Sequence, residues 1–138
     1  MTRREFSIVL GGVAFPGLGS TVVLLQAIAG ARLPESLAIT TTSPEKIREG
    51  LWELRTYKGV TRLLAKRFAN VFPHAGIHPL FSTMNGEDLT YLIQFEDLAV
   101  RDRAWTRLNS DPGWTPLRRA FRSYGFGLYR AKRARSGL

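Results

Sequence analysis

An α+β fold is predicted by three observations. Residues 51–57 and 123–130 alternate along the chain, the period of strands. Apolar residues recur at helical spacing over 60–72 and again over 98–108. Asn85-Gly86, set between two strand-like runs, is the dipeptide that a two-residue hairpin turn favours. In chain order these give β-α-β-β-α-β, the split βαβ or ferredoxin-like arrangement. It is expected as a four-stranded antiparallel sheet with both helices on one face.

Each element has a local reason. The first strand, 51–57, divides into a Trp52/Leu54/Thr56 face and a Leu51/Glu53/Arg55/Tyr57 face, and Lys58-Gly59 ends it. Val60, Leu63, Leu64, Phe68, Val71 and Phe72 then mark one side of a helix that Pro73 stops. Residues 78–84 form the second strand and 88–95 the returning one. Asp97 caps a second helix with Leu98, Val100, Ala104, Trp105 and Leu108 inward, and Asp111-Pro112-Gly113 closes it. Residues 114–123 are a short helix or an irregular segment, and 123–130 are the last strand.

The four parts of the chain are 1–31, a linker at 32–49, a folded domain at 50–132 and a basic tail at 133–138. In the first part Arg3 and Arg4 precede an uncharged stretch over 6–31 that ends in Ala27-Ile28-Ala29-Gly30-Ala31. A positive start, an apolar middle and an Ala-x-Ala end describe a secretory signal peptide. Thr2-Arg3-Arg4-Glu5-Phe6 is similar to a twin-arginine export signal, with Ser7 and Ile8 where Leu and Lys are usual. The alternatives are an uncleaved inner-membrane anchor, for which the stretch is long enough, and a cytosolic protein with a misassigned start. An exported, periplasmic or inner-membrane-anchored location is the expectation. The linker has Pro34 and the run Thr40-Thr41-Thr42-Ser43-Pro44, with one helical turn read at 44–48.

Composition limits the chemistry. The chain has 138 residues, no Cys, two His and a formal charge of +9. That excludes disulfides, thiolate metal sites, iron–sulfur clusters and a Cys nucleophile. Neither a phosphate-cradling loop nor a nucleophile elbow is present. A folded part of about eighty residues makes only a small core. Its sheet, apolar on both faces and covered on one, favours a homodimer packed sheet against sheet.

Several segments resemble the NIPSNAP family. Trp52-Glu53-Leu54-Arg55-Thr56-Tyr57 is similar to its "YELRTY" opening, and residues 74–81 (HAGIHPLF) to its "HGIRPLF" segment. Residues 88–105 (DLTYLIQFEDLAVRDRAW) are similar to "DLTYLIPFEDLAARDRAW", and Asp111-Pro112-Gly113-Trp114 to the Asp-Pro-x-Trp element that follows. The resemblance implies a dimeric α+β barrel in which two ferredoxin-like sheets enclose a cavity. It leaves the biochemical activity undefined, because that barrel class includes cofactor-free monooxygenases, haem-handling proteins and stress-response domains.

The candidate ligand-binding residues are His74, Glu53, Arg55, Tyr57 and Tyr91. His74 stands on a loop beside Gly76, and a His in a cleft can act as acid, base or ligand. Glu53, Arg55 and Tyr57 share a strand face, where buried charges require partners. Tyr91 and Gln94 point to opposite faces, so only one joins that set. Trp105, Trp114 and Asp97 are read as structural, and the charges around Asp97, Arg101 and Asp102 as a solvated ion-pair surface.

No metal is expected, and no cofactor apart from a haem on a single axial His, which is left open. Arg118, Arg119, Arg122, Arg130, Lys132, Arg133 and Arg135, with no acid among residues 118–138, suit an anionic membrane surface better than nucleic acid. The functional expectation is an exported homodimeric module, either binding a small apolar ligand or acting as an accessory protein, with its biochemical activity undefined. The alternatives are a cofactor-free, monooxygenase-like enzyme and a peripheral membrane protein.

Overall fold

The alternating runs form strands, and the strands form one antiparallel sheet. The structure, a computed structural model, describes residues 6–10, 21–29, 36–41 and 44–133. The elements are β1 (Phe6–Leu10), β2 (Thr21–Ala29), β3 (Ser36–Thr41), β4 (Leu51–Lys58), α1 (Arg62–Val71), β5 (Pro79–Asn85), β6 (Asp88–Phe95), α2 (Leu98–Asn109), α3 (Thr115–Arg118) and β7 (Ser123–Arg133). Short 3-10 turns occupy Pro44–Lys46 and Phe72–Ala75. The fold is α+β.

The neighbour order is β1-β3-β2-β7-β4-β6-β5, seven strands among the described residues rather than the four expected. The additional three come from 6–10, 21–29 and 36–41, in the stretches read as an export signal and a linker. β2 pairs with β7 from Val23 opposite Arg133 to Ala29 opposite Leu128, with a bulge between Ala27 and Ala29. Arg3-Arg4, residues 11–20, Gly30-Ala31 and most of the basic tail (134–138) lie outside the described residues. No helix among the described residues is long and apolar enough to cross a membrane.

Two cores flank the sheet. On the first face α1 and α2 share one apolar cluster, which contains Leu64, Phe68 and Val71 from α1 and Ala104, Trp105 and Leu108 from α2. It rests on Leu51 and Tyr57 of β4, on Leu89, Tyr91, Ile93 and Phe95 of β6, and on Leu128 of β7. Both helices therefore lie on one side. Thr61 starts α1 by accepting from the Leu64 amide through Oγ1 (3.2 Å), and Asp97 starts α2 by accepting from the Val100 amide through Oδ1 (2.8 Å). Gly76, at φ 77°, turns the chain out of the 3-10 turn that follows α1.

The second face is not bare. The sheet curls, and Val23, Leu25, Leu37 and Ile39 of β2 and β3 join Trp52, Leu92, Tyr129 and Ala131 in a second core. Trp52 and Tyr129 are wholly buried there. Residues 46–48 are pinned over the same face. Gln94 donates to the Lys46 carbonyl and accepts from the Arg48 amide (both 3.0 Å), while Trp52 Nε1 donates to the Arg48 carbonyl (3.0 Å). Ile47 thereby enters the second core. Each fully buried aliphatic side chain contributes about 1.5–3 kcal/mol, so the curl supplies much of the cover expected from a second subunit.

Candidate functional site

The odd-numbered residues of β4 face the helices, which places Glu53, Arg55 and Tyr57 between sheet and α2. Glu53 has no exposed surface, and a carboxylate there is sustained only by donors. Three are present. Arg55 Nε donates to Oε2 at 2.6 Å, Arg101 Nε to Oε1 at 2.8 Å, and Trp105 Nε1 to Oε1 at 2.9 Å. Glu53 and Arg55 therefore pair within one strand and with α2. Arg101 turns inward and does not join the solvated surface expected of it, although its Nη1 also donates to the exposed Asp102 at 3.1 Å.

Arg55 is packed among rings. Its guanidinium carbon lies 3.7 Å from the Trp105 ring centroid, 4.9 Å from that of Tyr124 and 5.3 Å from that of Phe126. Arg55 Nη1 donates to the Tyr57 hydroxyl at 3.3 Å. Burial pushes the Tyr57 phenol up to about 12 against the opposing pull of Arg55, so it is neutral at ordinary pH. Burial by itself would lower Arg101. Its hydrogen bond to Glu53 and the Glu53 charge reverse the sign, and its pKa is raised.

Above this cluster lies a cavity of about 290 Å³, at the small end for ligand pockets. Its lining includes Arg55, Tyr57, Arg101, Trp105 and Arg118, with Tyr124 half-exposed at the rim. A larger groove of about 650 Å³ lies between the 44–49 segment and the strand ends, near His78 and Gln94. Its charged side chains are exposed, and Gln94 is already bonded to backbone.

The expected site residues do not all meet. Tyr91 lies beside Tyr57, ring centroids 6.2 Å apart, but lines a different recess with Pro73, His78 and Ser82. His74 stands apart on the surface, its Nδ1 3.2 Å from Asp111 Oδ2, and Asp111 also accepts from the Gly113 amide at 2.8 Å. Trp105 and Trp114 are core residues that also line the chamber. Among the described residues no group of three His, Asp or Glu side chains is placed to hold a metal ion. Arg101 and Arg118 were not foreseen at the site. For Arg101 the signal was its position, four residues before Trp105 and seven before Leu108 on the inward side of α2.

Comparison with protein-family models, with curated proteins and with solved structures finds no match for this chain.

Proposed function

We propose that this protein is an exported, homodimeric, NIPSNAP-like module that binds a small molecule in the chamber between sheet and α2. The observation that carries the reading is the cavity itself. A ring-walled space of about 290 Å³ opens over a buried carboxylate that two arginines and an indole hold in place. Such a space, rigidly supported from below, favours binding over a purely structural network.

The topology supports the ferredoxin-like part of the reading. The elements β4-α1-β5-β6-α2-β7 follow the expected order, and their strands are neighbours as β7-β4-β6-β5. Export and dimer formation belong together physically. Cleavage after Ala29 or Ala31 removes Val23 and Leu25, which share the core of Trp52 and Tyr129. A second copy restores that cover. The half-buried Leu54 and Phe81, and the open space above Gly125, give it a sheet face to meet.

The test of ligand binding is tryptophan emission of the purified protein, because Trp105 and Trp114 both line the chamber. Titration with one- and two-ring compounds is expected to change it saturably. No saturable change with any of them overturns the binding reading. N-terminal sequencing of the secreted protein and its sedimentation test the rest, with an intact leader or a lone protomer as the contrary results.

A further inference from the structure

We infer that the chamber takes a small organic anion: a flat ring bearing one carboxylate or a comparable oxyanion. This rests on the reading of the chamber as a binding site and names the class of its ligand.

Arg55, Arg101 and Arg118 line the cavity, and no Asp or Glu does. Glu53 lies beneath it, without exposed surface, and neutralises one guanidinium. Asp102, well exposed, offsets Arg101 from outside. Arg118, on the exposed side of α3, has no acidic partner among the described residues. The chamber is left with uncompensated positive charge, which an anion would complete at the strength of a charge-assisted hydrogen bond.

Donor direction agrees. Arg55 reaches Glu53 through Nε and Tyr57 through Nη1. Its Nη2 makes no hydrogen bond, yet no buried side-chain nitrogen among the described residues lacks a partner, so Nη2 opens on the cavity. The Tyr57 oxygen accepts from Arg55, which leaves its own proton to donate elsewhere. Two donors at the floor and Arg118 at the rim suit an oxyanion.

The walls set the body of the ligand. Trp105, Trp114, Phe121, Tyr124 and Phe126 present rings to the space. Ring faces are electron-rich and disfavour a negative charge laid over them. They favour a flat apolar body, with its charge held at the guanidinium end.

Three probes of one size test the inference by calorimetry and tryptophan emission on the full chain. They are benzoate, the neutral benzamide, and the non-planar cyclohexanecarboxylate. Benzoate is expected to bind at least about tenfold more tightly than either of the others. Arg118→Gln is expected to lose most of that advantage and to leave the melting temperature unchanged, since the Arg118 side chain is exposed and pairs with no acid among the described residues. Benzamide binding as well as benzoate overturns the anionic class while the chamber reading stands. Cyclohexanecarboxylate binding as well as benzoate overturns the flat body. Arg118→Gln binding benzoate like the parent chain overturns the role of the rim charge. Failure of all three probes to bind overturns the inference, and the chamber reading falls with it only when no other one- or two-ring compound binds saturably either.

Discussion

Arg101 on α2 donates from Nε to Oε1 of Glu53 on β4, a 2.8 Å bond between residues 48 positions apart. It fastens the helix to the central strand. The same oxygen takes the Trp105 indole, one helical turn on, so α2 is held at two successive inward positions. Glu53→Ala removes the acceptor and strands two guanidiniums in a ring-lined interior. The expected loss is about 3–5 kcal/mol of unfolding free energy, read from the urea midpoint. Glu53→Gln, which keeps the shape, is expected to lose less. Equal midpoints for Glu53→Ala and the parent chain would show that the cluster contributes nothing to folding.

Alkaline stability follows from Tyr57. Its folded pKa is raised from 10.0 to about 12, chiefly by burial. Between those values the unfolded chain has lost a proton that the folded chain keeps, so unfolding free energy falls as pH rises. The contribution is fully present below about pH 10 and is lost as pH passes about 12. Tyr91, raised first by burial and then by the Tyr57 charge, and Tyr129, raised by burial, act with the same sign. One group over that window amounts to about 2–3 kcal/mol. Urea midpoints measured across the window are expected to decline, and Tyr57→Phe to decline less steeply. Parallel slopes for the two chains would contradict this.

The part of the fold legible in the sequence is the part with local causes. Alternation marked β4, Asn85-Gly86 marked the hairpin that joins β5 to β6, and Asp97 capped α2 as expected. Apolar spacing alone puts the start of α1 at Val60, whereas Thr61 takes the Leu64 amide and starts the helix at Arg62. β1 to β3 were not legible. Val22-Val23-Leu24-Leu25 is a continuous apolar run, which periodicity does not separate from a leader or a buried helix. The pairing of Leu25 with Ala131 joins opposite ends of the chain and has no local sign. In the chamber, Glu53, Arg55 and Tyr57 were readable from one strand face. Arg101 was not, because an arginine amid helix charges is by default a solvated one.

Two glycines with nearly the same backbone separate strain from crowding. Gly59 has φ 79° and Gly76 φ 77°, a region that side chains with a Cβ disfavour by about 1–2 kcal/mol. A Cβ at Gly76 meets nothing within 4 Å, while one at Gly59 would lie 3.1 Å from the Arg122 backbone nitrogen. That nitrogen is fixed by its bond to the Lys58 carbonyl at 2.8 Å, so it does not give way easily. Gly76→Ala is expected to cost about 1 kcal/mol. Gly59→Ala is expected to cost clearly more. Thermal melts of the two variants decide it, and equal shifts would mean that the Arg122 segment yields.

Val23 and Leu25 of β2 lie in one core with Trp52 and Tyr129, and β2 also pairs along the edge of β7. A chain beginning at Arg32 lacks both β1 and β2. It would expose apolar side chains and the unpaired edge of β7 together, an arrangement prone to pairing with another chain. Such a chain is expected to fold, by circular dichroism, and to sediment as a dimer, while the full chain keeps its second core internally. Acrylamide quenching reports the same cover, because Trp52 alone of the three tryptophans lies in that core. A shortened chain that sediments as one protomer with all three tryptophans shielded would refute the covering role of β2. A shortened chain that sediments as one protomer with one tryptophan newly quenched would confirm that role and refute the dimer.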